Sequence, residues 1–420
     1  MLFLILACGN DSNKIYGEQP SPTEDNTEGQ AELTWTRDVQ PLIEQHCVRC
    51  HHDGGQGTGD FTDFGTVEVM ADLMKNAIEM GTMPPPVADP SCNDYLDSDI
   101  FYMSDESKSI FTRWVEEGKV YGSEEDAQEY DLALAKVEDP DMIIQLQQAY
   151  SPTFSDPDNP GNEYRCFSLK HNREEPFYIT ELHPVVDNTA IVHHLVLAKG
   201  NENGILPGSD APEGIDCIDG NFVTGSYLDS AMLAGWAPGG SPIRFPENAG
   251  LLIQPDEYIV IQMHYYQSVD GGESPSDQSG YAFKTTTEAP ENVIQMYPYG
   301  VYDFTIPAGD DAYTASNSYE VPYSFTLWGV FPHMHMLGSG YELLFDNECI
   351  IGSEQYDFNN QLSYLFEEPI QFNAGQSISM SCSWNNSSSN PYLAGQTPVD
   401  THYGERTDEE MCFAFMMISF

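Results

Sequence analysis

The chain has 420 residues, a length that predicts roughly three domains rather than a single core. Its 67 Asp and Glu residues outweigh 15 Lys and Arg residues and give a formal net charge of −52. This charge argues against a nucleic-acid binder, which needs cations to neutralise phosphates, and against binding to an anionic membrane surface. Because 40% of the residues are hydrophobic and 12% are aromatic, a wholly disordered chain is also excluded.

The N-terminus predicts export. The apolar run Met1 to Ala7, followed by Cys8, resembles the end of a bacterial lipoprotein signal in which Cys8 carries the lipid. The alternative is a chance resemblance, because no basic segment precedes the run. We expect a signal remnant at residues 1–8 and a flexible acidic tether at 9–32. The protein would lie in the periplasm or on the surface of a Gram-negative bacterium, with a lipid anchor as its membrane attachment.

Residues 33–120 predict a small all-α unit. Apolar residues from Thr36 to His46 recur at helical spacing, and a second helical pattern runs from Val67 to Met80. A third helix is expected to begin after Ser104, which is a favourable N-cap, and to end at Gly118.

A C-x-x-C-H motif lies within this unit and predicts covalent haem. The thiols of Cys47 and Cys50 can bond to the haem vinyl groups, and His51 can supply an axial nitrogen. Met83, in a Met-Pro-Pro-Pro segment, is a candidate second axial ligand, and Met80 competes with it. The alternatives are a disulfide or zinc pair beside a chance His, and an ordinary loop methionine. The order of motif helix, Gly-rich loop, Met-Pro loop and Trp-bearing helix resembles class I c-type cytochromes, which implies one covalently bound haem c.

The remainder of the chain predicts β-structure. An acidic linker at 121–130 is followed by apolar runs that alternate with Gly, Pro, Asn and Asp clusters, without helical crossovers. We predict two all-β sandwiches, at 131–288 and 289–420, which meet within Thr285 to Asn292. The expected strands include 190–198, 258–267, 323–337, 341–345, 377–384 and 411–420.

Histidines on the predicted strands suggest metal binding. His333 and His335 are two residues apart, so in a strand both rings lie on one face. His193 and His194 are adjacent, so a shared ion requires a β-bulge or a strand end. His264 closes another apolar run. Any one of these residues could be an ordinary core histidine, but the set favours a metal.

The identity of the metal depends on the softness of the ligands. Imidazole ligands alone suit zinc or copper, whereas a methionine ligand selects Cu(I). Met411, beside Cys412, is a candidate at the start of a C-terminal strand. Since the chain has 16 methionines, any one of them is weak evidence.

A series of motifs in the β region, taken in order, resembles the copper type II, ascorbate-dependent monooxygenases. The motifs are Tyr164-Arg165-Cys166-Phe167, His193-His194, Gly235-Trp236-Ala237-Pro238, Gln262-Met263-His264-Tyr265, His333-Met334-His335-Met336-Leu337-Gly338, Thr401-His402-Tyr403-Gly404 and Glu410-Met411-Cys412. The resemblance implies two jelly-roll-like domains that face each other across an open cleft, each with one copper ion. It assigns the electron-transfer copper to His193, His194 and His264, and the catalytic, oxygen-binding copper to His333, His335 and Met411.

The same resemblance implies two disulfides. They would join Cys166 to Cys217 and Cys382 to Cys412, while Cys92 and Cys349 receive no assigned partner.

The chain departs from the peptide-amidating members of the family near the second site. Phe331 stands where those members place an arginine for the substrate carboxylate, and Phe413 and Phe415 replace polar residues. An apolar or aromatic substrate is therefore more compatible than a peptide C-terminus.

The leading hypothesis is a haem-fused dicopper monooxygenase that hydroxylates a C–H bond of a small molecule with O2. The cytochrome unit would pass electrons from a periplasmic donor, either a redox protein or an ascorbate-like reductant, to the coppers. The alternative is a non-catalytic copper and haem electron-transfer or copper-binding surface lipoprotein. A zinc hydrolase is disfavoured, because no Glu is placed like the base of an H-E-x-x-H motif.

Overall fold

The protein is described from a computed structural model. The structure describes residues 32–127, 135–155, 161–217, 232–267, 276–404 and 406–420. The expected signal remnant, Cys8 and nearly all of the tether lie outside these ranges.

Short helices build the N-terminal unit. A π-helical turn, Trp35–Val39, leads into α1 (Gln40–His46), and α2 (Phe64–Glu79), α3 (Ser98–Phe101) and α4 (Asp105–Glu116) follow. The Asp63 carboxylate caps α2, and the Ser104 hydroxyl caps α4. The predicted helices are therefore present, whereas α3 was not expected. In the described part of the chain, no helix is long and apolar enough to cross a bilayer.

Apolar side chains from these helices form one core. Trp114 and Phe111 of α4 are fully buried against Val39 and Ile43 at the start of the unit and Val67 of α2. The helices α1, α2 and α4, which share this core, do not by themselves define a cytochrome c fold. They supply a small hydrophobic body to which the C-x-x-C-H loop is attached.

The rest of the chain is mostly β-structure, as predicted. The strands are β1 (Met142–Gln145), β2 (Asn162–Lys170), β3 (Phe177–Val185), β4 (Val192–Asn201), β5 (Ile215–Asp216), β6 (Met232–Trp236), β7 (Ile243–Arg244), β8 (Ala249–Ile253), β9 (Glu257–Tyr266), β10 (Gly280–Thr286), β11 (Asn292–Gly300), β12 (Thr305–Ile306), β13 (Tyr313–Glu320), β14 (Phe325–His333), β15 (Gly338–Phe345), β16 (Glu348–Ser353), β17 (Tyr364–Phe372), β18 (Ser377–Trp384), β19 (Thr401–His402) and β20 (Phe413–Ser419). Short 3-10 turns occur at Glu124–Asp126 and Pro391–Leu393.

The strands form three larger sheets and one short pair. A nine-stranded sheet has the order β1-β10-β3-β8-β11-β20-β14-β17, with β7 also paired to β3. A five-stranded sheet, β5-β2-β9-β4-β6, belongs to the N-terminal β unit, and a four-stranded sheet, β13-β18-β15-β16, belongs to the C-terminal β unit. β12 pairs with β19.

The two β units share the nine-stranded sheet. β11 begins at the predicted seam and hydrogen-bonds to β8 of the first unit and to β20 of the second. Along β20, Phe413 and Phe415 pack into the N-terminal core, while Ala414 and Met416 pack into the C-terminal core. The units are therefore joined by backbone hydrogen bonds and adjoining cores, in contrast to the implied arrangement of two domains across an open cleft.

A segment of the predicted helical unit packs elsewhere. Ala88, Tyr95 and Phe101 are buried in the core of the C-terminal β unit, so the segment 86–101 forms an arm along that unit. The Tyr95 hydroxyl donates a hydrogen bond to the Ile350 carbonyl at 3.0 Å. The arm differs from the expected compact unit because its apolar side chains fill the edge of the C-terminal core.

A disulfide fixes this arm covalently. Cys92 of the arm is bonded to Cys349 of β16, although 257 residues separate them in the chain. These are the two cysteines for which sequence analysis gave no partner.

Candidate metal centres

A β-bulge brings three histidines together in the N-terminal β unit. In the pairing of β4 with β9, Val192 is opposite Tyr265 and His194 is opposite His264, so His193 is the extra residue between them. An extra residue turns two adjacent side chains toward one side of the strand. The irregularity that adjacent histidine ligands require is therefore present.

The three rings converge through their Nδ1 atoms. The Nδ1 atom of His194 lies 3.1 Å from that of His193 and 3.2 Å from that of His264. Imidazole nitrogens bind zinc-sized ions at about 2.0–2.1 Å, so ligands that share one ion lie roughly 3.3 Å apart in tetrahedral geometry. The observed spacing therefore fits one shared metal ion.

Hydrogen bonds on the outer side of the rings set the tautomers. His193 Nε2 donates to Asn359 Oδ1 at 2.9 Å, and His264 Nε2 donates to Asn162 Oδ1 at 2.8 Å. The lone pairs on Nδ1 are left free for a metal. Burial and the neighbouring imidazoles hold the pKa values of His194 and His264 well below the usual range. The rings are thus neutral, as metal ligation requires.

A second pair of histidines lies in the C-terminal β unit. His333 ends β14 and His335 lies in the following loop, with ring centroids 5.1 Å apart. His333 Nδ1 donates to Gln361 Oε1 at 2.6 Å, and His335 Nδ1 donates to the Glu409 carbonyl at 3.0 Å. These bonds engage the Nδ1 atoms, so metal ligation here would use Nε2. Burial lowers the pKa of His333 to about 4 and that of His335 to about 3.

Glu410 organises this second site. Its carboxylate accepts hydrogen bonds from the backbone N–H groups of His335, Leu337 and Met411 and from the Trp384 indole. It therefore joins the loop that bears His335 to Met411, two residues before β20. Burial raises the pKa of Glu410 to about 7, although these four donors favour its charged form. Glu410 belongs to the Glu410-Met411-Cys412 motif, but the sequence assigned it no role; an acidic residue shortly before an apolar strand was the available signal.

Met411 is 3% exposed and belongs to the N-terminal core. The next residue, Cys412, forms a disulfide with Cys382. A second disulfide joins Cys166 to Cys217, so both pairs implied by the resemblance are formed. The disulfide beside Met411 restricts the backbone at the position of the candidate thioether ligand.

Aromatic side chains surround the two groups of histidines. The Phe358 ring centroid lies 6.1 Å from that of His193, 6.3 Å from that of His194 and 6.4 Å from that of His335. Phe358 is 7% exposed and thus contacts both groups from a buried position. None of the sequence motifs includes Phe358.

The departures from the peptide-amidating pattern also lie at the second site. The rings of Phe331 and Phe415 lie 5.9 Å and 6.0 Å from the ring of His333, and Phe413 stacks on Phe415. The surroundings of His333 are therefore aromatic.

The C-x-x-C-H loop follows α1. Cys47 and Cys50 are free thiols, and burial raises the pKa of Cys47 to about 12. His51 Nδ1 donates to the Thr58 carbonyl at 2.9 Å, which leaves Nε2 for an iron ion. Phe61 stacks on the face of this ring at 4.3 Å and does not block a ligand bond in the ring plane.

Arg49 provides a test of whether this loop fits haem. Its guanidinium is buried beside the thiols, and burial lowers its pKa. Nη1 donates to the Gly239 carbonyl, while Nη2 has no hydrogen-bond partner among the described residues. A buried N–H group without a partner needs a hydrogen-bond acceptor, and a haem propionate carboxylate would supply one. The two free thiols, the oriented His51 ring and this N–H group are therefore compatible with a haem that carries carboxylates.

Both candidate methionine ligands are exposed to solvent. Met83 is 43% exposed and Met80 is 69% exposed. Neither side chain is packed in a core.

The C-x-x-C-H loop contacts the strand that carries the first group of histidines. The Gln56 side chain donates to the Val192 carbonyl at 2.7 Å, directly before His193, and the Thr189 hydroxyl donates to the Gly54 carbonyl at 2.6 Å. The helical unit is thereby held beside the three-histidine centre.

We expect Glu410→Gln to destabilise the metal-free protein. A glutamine amide would place a donor against backbone N–H groups, and each buried group left without a partner costs about 1–3 kcal/mol. Thermal unfolding should show a lower Tm than in the parent. Glu409→Gln is the matched control, because the Glu409 side chain accepts one backbone bond from Arg406. Equal Tm values for the two variants would contradict the role given to Glu410.

Comparisons with known proteins bear on the β region. Residues 149–270 match the model of the copper type II ascorbate-dependent monooxygenase N-terminal domain. DBH-like monooxygenase protein 2 of Mus musculus is 26% identical over 252 residues, which cover 54% of this chain and 38% of the mouse protein. The chain thus spans well under half the length of that relative.

A solved structure, the VP2 subviral particle of infectious bursal disease virus, aligns with 67% of this chain and 78% of that chain. Its identity of 8% and TM-score of 0.14 carry no argument about this protein. The segment matched by the family model contains His193, His194 and His264, so this part of the β region is similar to the N-terminal domain of the copper type II ascorbate-dependent monooxygenases.

Proposed function

We propose that this chain is a copper monooxygenase that hydroxylates a C–H bond of a small substrate. The overall reaction is RH + O2 + two electrons + two protons, which gives ROH + H2O. Bound copper would supply one-electron redox chemistry and O2 activation. The observation that carries this proposal is the convergence of three Nδ1 atoms at 3.1 and 3.2 Å, with outer hydrogen bonds that leave the Nδ1 lone pairs of His193 and His264 free.

The two groups of residues take different roles in the proposal. His193, His194 and His264 would hold the copper that stores an electron. His333, His335 and Met411 would hold the copper at which substrate is oxidised. A thioether is a soft ligand and favours Cu(I), the form that meets O2. Glu410 and the Cys382–Cys412 disulfide would hold Met411 in place.

The aromatic surroundings of the second site favour an apolar or aromatic substrate. Phe331 and Phe415 flank His333, so a substrate carboxylate would meet apolar rings there rather than an arginine. Burial of an unpaired carboxylate against such rings is costly. A peptide C-terminus is therefore a poor candidate.

The central test uses the purified, copper-reconstituted protein with a small chemical reductant. We expect two coppers per chain and reductant-dependent O2 consumption that candidate C–H substrates stimulate. Met411→Leu should abolish product formation. Met416→Leu is the matched control, since Met416 is equally buried, at 3% exposed, but faces the other core. Zinc or no metal in the β units, without O2 consumption, would contradict the proposal.

The second candidate function is non-catalytic electron transfer or copper binding at the cell surface. The observation that favours it is Phe358, whose buried ring contacts both groups of histidines. The same experiment separates the two functions. Bound copper that cycles between its redox states, without any oxygenated product, would support this candidate.

We further propose that Cys47, Cys50 and His51 hold a haem c, with Met83 or Met80 as second axial ligand. The free thiols, the oriented His51 ring and the unpaired N–H group of buried Arg49 support this. Haem would supply a one-electron carrier for a periplasmic donor. The Gln56 contact with the strand of His193 is consistent with delivery of electrons to copper.

The haem proposal predicts that the loss of turnover in a His51 variant depends on the electron donor. His51→Ala should abolish turnover with a protein donor but spare turnover with a small chemical reductant, because the β units keep their own ligands. The haem absorption spectrum should change in the same variant. His52→Ala serves as control, since its ring bonds only to the neighbouring Asp53 carbonyl among the bonds observed. Equal loss with both donors would refute the proposed route.

Export is also proposed. Three disulfides in the structure favour an oxidising compartment outside the cytoplasm. Lipid attachment at Cys8 would then tether the protein to a membrane. Metabolic labelling with palmitate should mark the expressed chain and not its Cys8→Ala variant, and unlabelled parent protein would rule out the anchor.

A further inference from the structure

A short loop of the C-terminal β unit contacts both groups of histidines. The loop, residues 357–361, lies between β16 and β17. Asn359 Oδ1 accepts a hydrogen bond from His193 Nε2 at 2.9 Å, and Gln361 Oε1 accepts one from His333 Nδ1 at 2.6 Å. One short segment of the chain therefore orients a ring of each candidate metal centre.

Other hydrogen bonds fix the orientation of the two amide side chains. Asn359 Nδ2 donates to the Tyr392 hydroxyl at 2.8 Å, and Gln361 Nε2 donates to the Phe358 carbonyl at 2.9 Å. Each amide nitrogen has its own acceptor, so the amide oxygen is the atom that faces the imidazole. Because Phe358 directly precedes Asn359, the carbonyl that holds Gln361 belongs to the peptide bond that leads into Asn359.

The loop 357–361 is also tied to its surroundings. The Asp357 carboxylate accepts hydrogen bonds from the Asn359 backbone N–H and the Tyr392 hydroxyl. Asn360 Nδ2 donates to the Pro86 carbonyl of the arm at 2.9 Å. A loop with these internal and external bonds moves as a unit, so a displacement at Asn359 is passed on to its other residues.

We propose that the loop 357–361 couples the two metal centres, so that an ion held by the first group of histidines raises the affinity of the second group for its own ion. Ligation through Nδ1 fixes the His193 ring, and the ring then holds Asn359 through Nε2. Gln361 is held at the same time and keeps His333 in its orientation. Asn359 is thus a positioning residue for the second centre, which it reaches through Gln361. The inference rests on the proposed function, in which both groups hold copper.

A second contact between the β units provides the competing route. The Tyr164 ring stacks on His264 with centroids 4.1 Å apart, and the Tyr164 hydroxyl is hydrogen-bonded to Thr407. Two residues further on, the Glu409 carbonyl accepts the hydrogen bond of His335 Nδ1. The link from Tyr164 to His264 is a stacking contact without a hydrogen bond to the imidazole nitrogen, so it restricts the rotation of the ring less than Asn359 restricts that of His193.

The test is a binding cycle with Cu(I) alone, measured without oxygen by competition with a chromophoric chelator. The parent gives the overall constant for two ions. A double variant, His194→Ala with His264→Ala, gives the constant of the second centre, and His333→Ala with His335→Ala gives that of the first. The overall constant divided by the product of the two single constants is the coupling factor. We expect a factor of about 5 in the parent, and because coupling is reciprocal this one factor describes both directions.

Variants at Asn359 test the route. Asn359→Ala should lower the coupling factor to about 1, whereas Asn359→Asp keeps an acceptor oxygen and should retain the coupling. Asn162→Ala is the matched control, because Asn162 accepts the same kind of bond from His264 Nε2, at 2.8 Å, but belongs to the N-terminal β unit. It should weaken the first centre and leave the coupling factor unchanged.

The coupling factor separates this role from a merely structural one. Asn359 is exposed, so its substitution should leave the protein folded. A general loosening of either centre lowers its single constant and the overall constant together, and their ratio stays the same. A factor of about 1 in the parent, its persistence in Asn359→Ala, or its loss in Tyr164→Phe alone would overturn the inference. These results, with two coppers bound, leave the proposed function intact, whereas absence of bound copper would overturn both.

Discussion

β20 is the element on which the rest of the β region depends, because it buries both of its faces and is hydrogen-bonded on both edges. It pairs with β11 and β14, and its alternating side chains enter two different cores. The residues directly before it, Glu410 to Cys412, include the carboxylate that accepts hydrogen bonds from the His335 loop, the candidate thioether of Met411 and a disulfide sulfur. A shift of one residue in the register of β20 would exchange the cores into which its side chains point and move Met411 with them.

The second constraint on the structure is the burial of the imidazole rings. Each candidate ligand ring is buried, which disfavours its charged form. Four of the rings donate outward hydrogen bonds, to Asn162, Asn359, Gln361 and the Glu409 carbonyl, and these bonds offset the cost of burying polar groups. The free nitrogens therefore point inward as neutral lone pairs. Because Asn359 and Phe358 come from the C-terminal β unit, the first centre is completed by the second unit.

The helical unit is attached to the β region at two places. The arm is bonded to β16 through Cys92 and Cys349, and the C-x-x-C-H loop is hydrogen-bonded to the segment before His193. Two attachments on different β units restrict the position of the loop more than a linker alone would do. The helical unit is thus attached to both β units.

The sequence by itself determined the features that depend on neighbouring residues. Helix caps at Ser104, the strand character beyond residue 131, the C-x-x-C-H motif and the need for a bulge at His193 all follow from local spacing. Only the tertiary structure decided the features that depend on distant parts of the chain. The Cys92–Cys349 bond, the packing of the arm, the four bonds to Glu410 and the position of Phe358 join segments far apart in sequence. Local sequence patterns do not predict such contacts, because the contacts form only when complete sheets pack against each other.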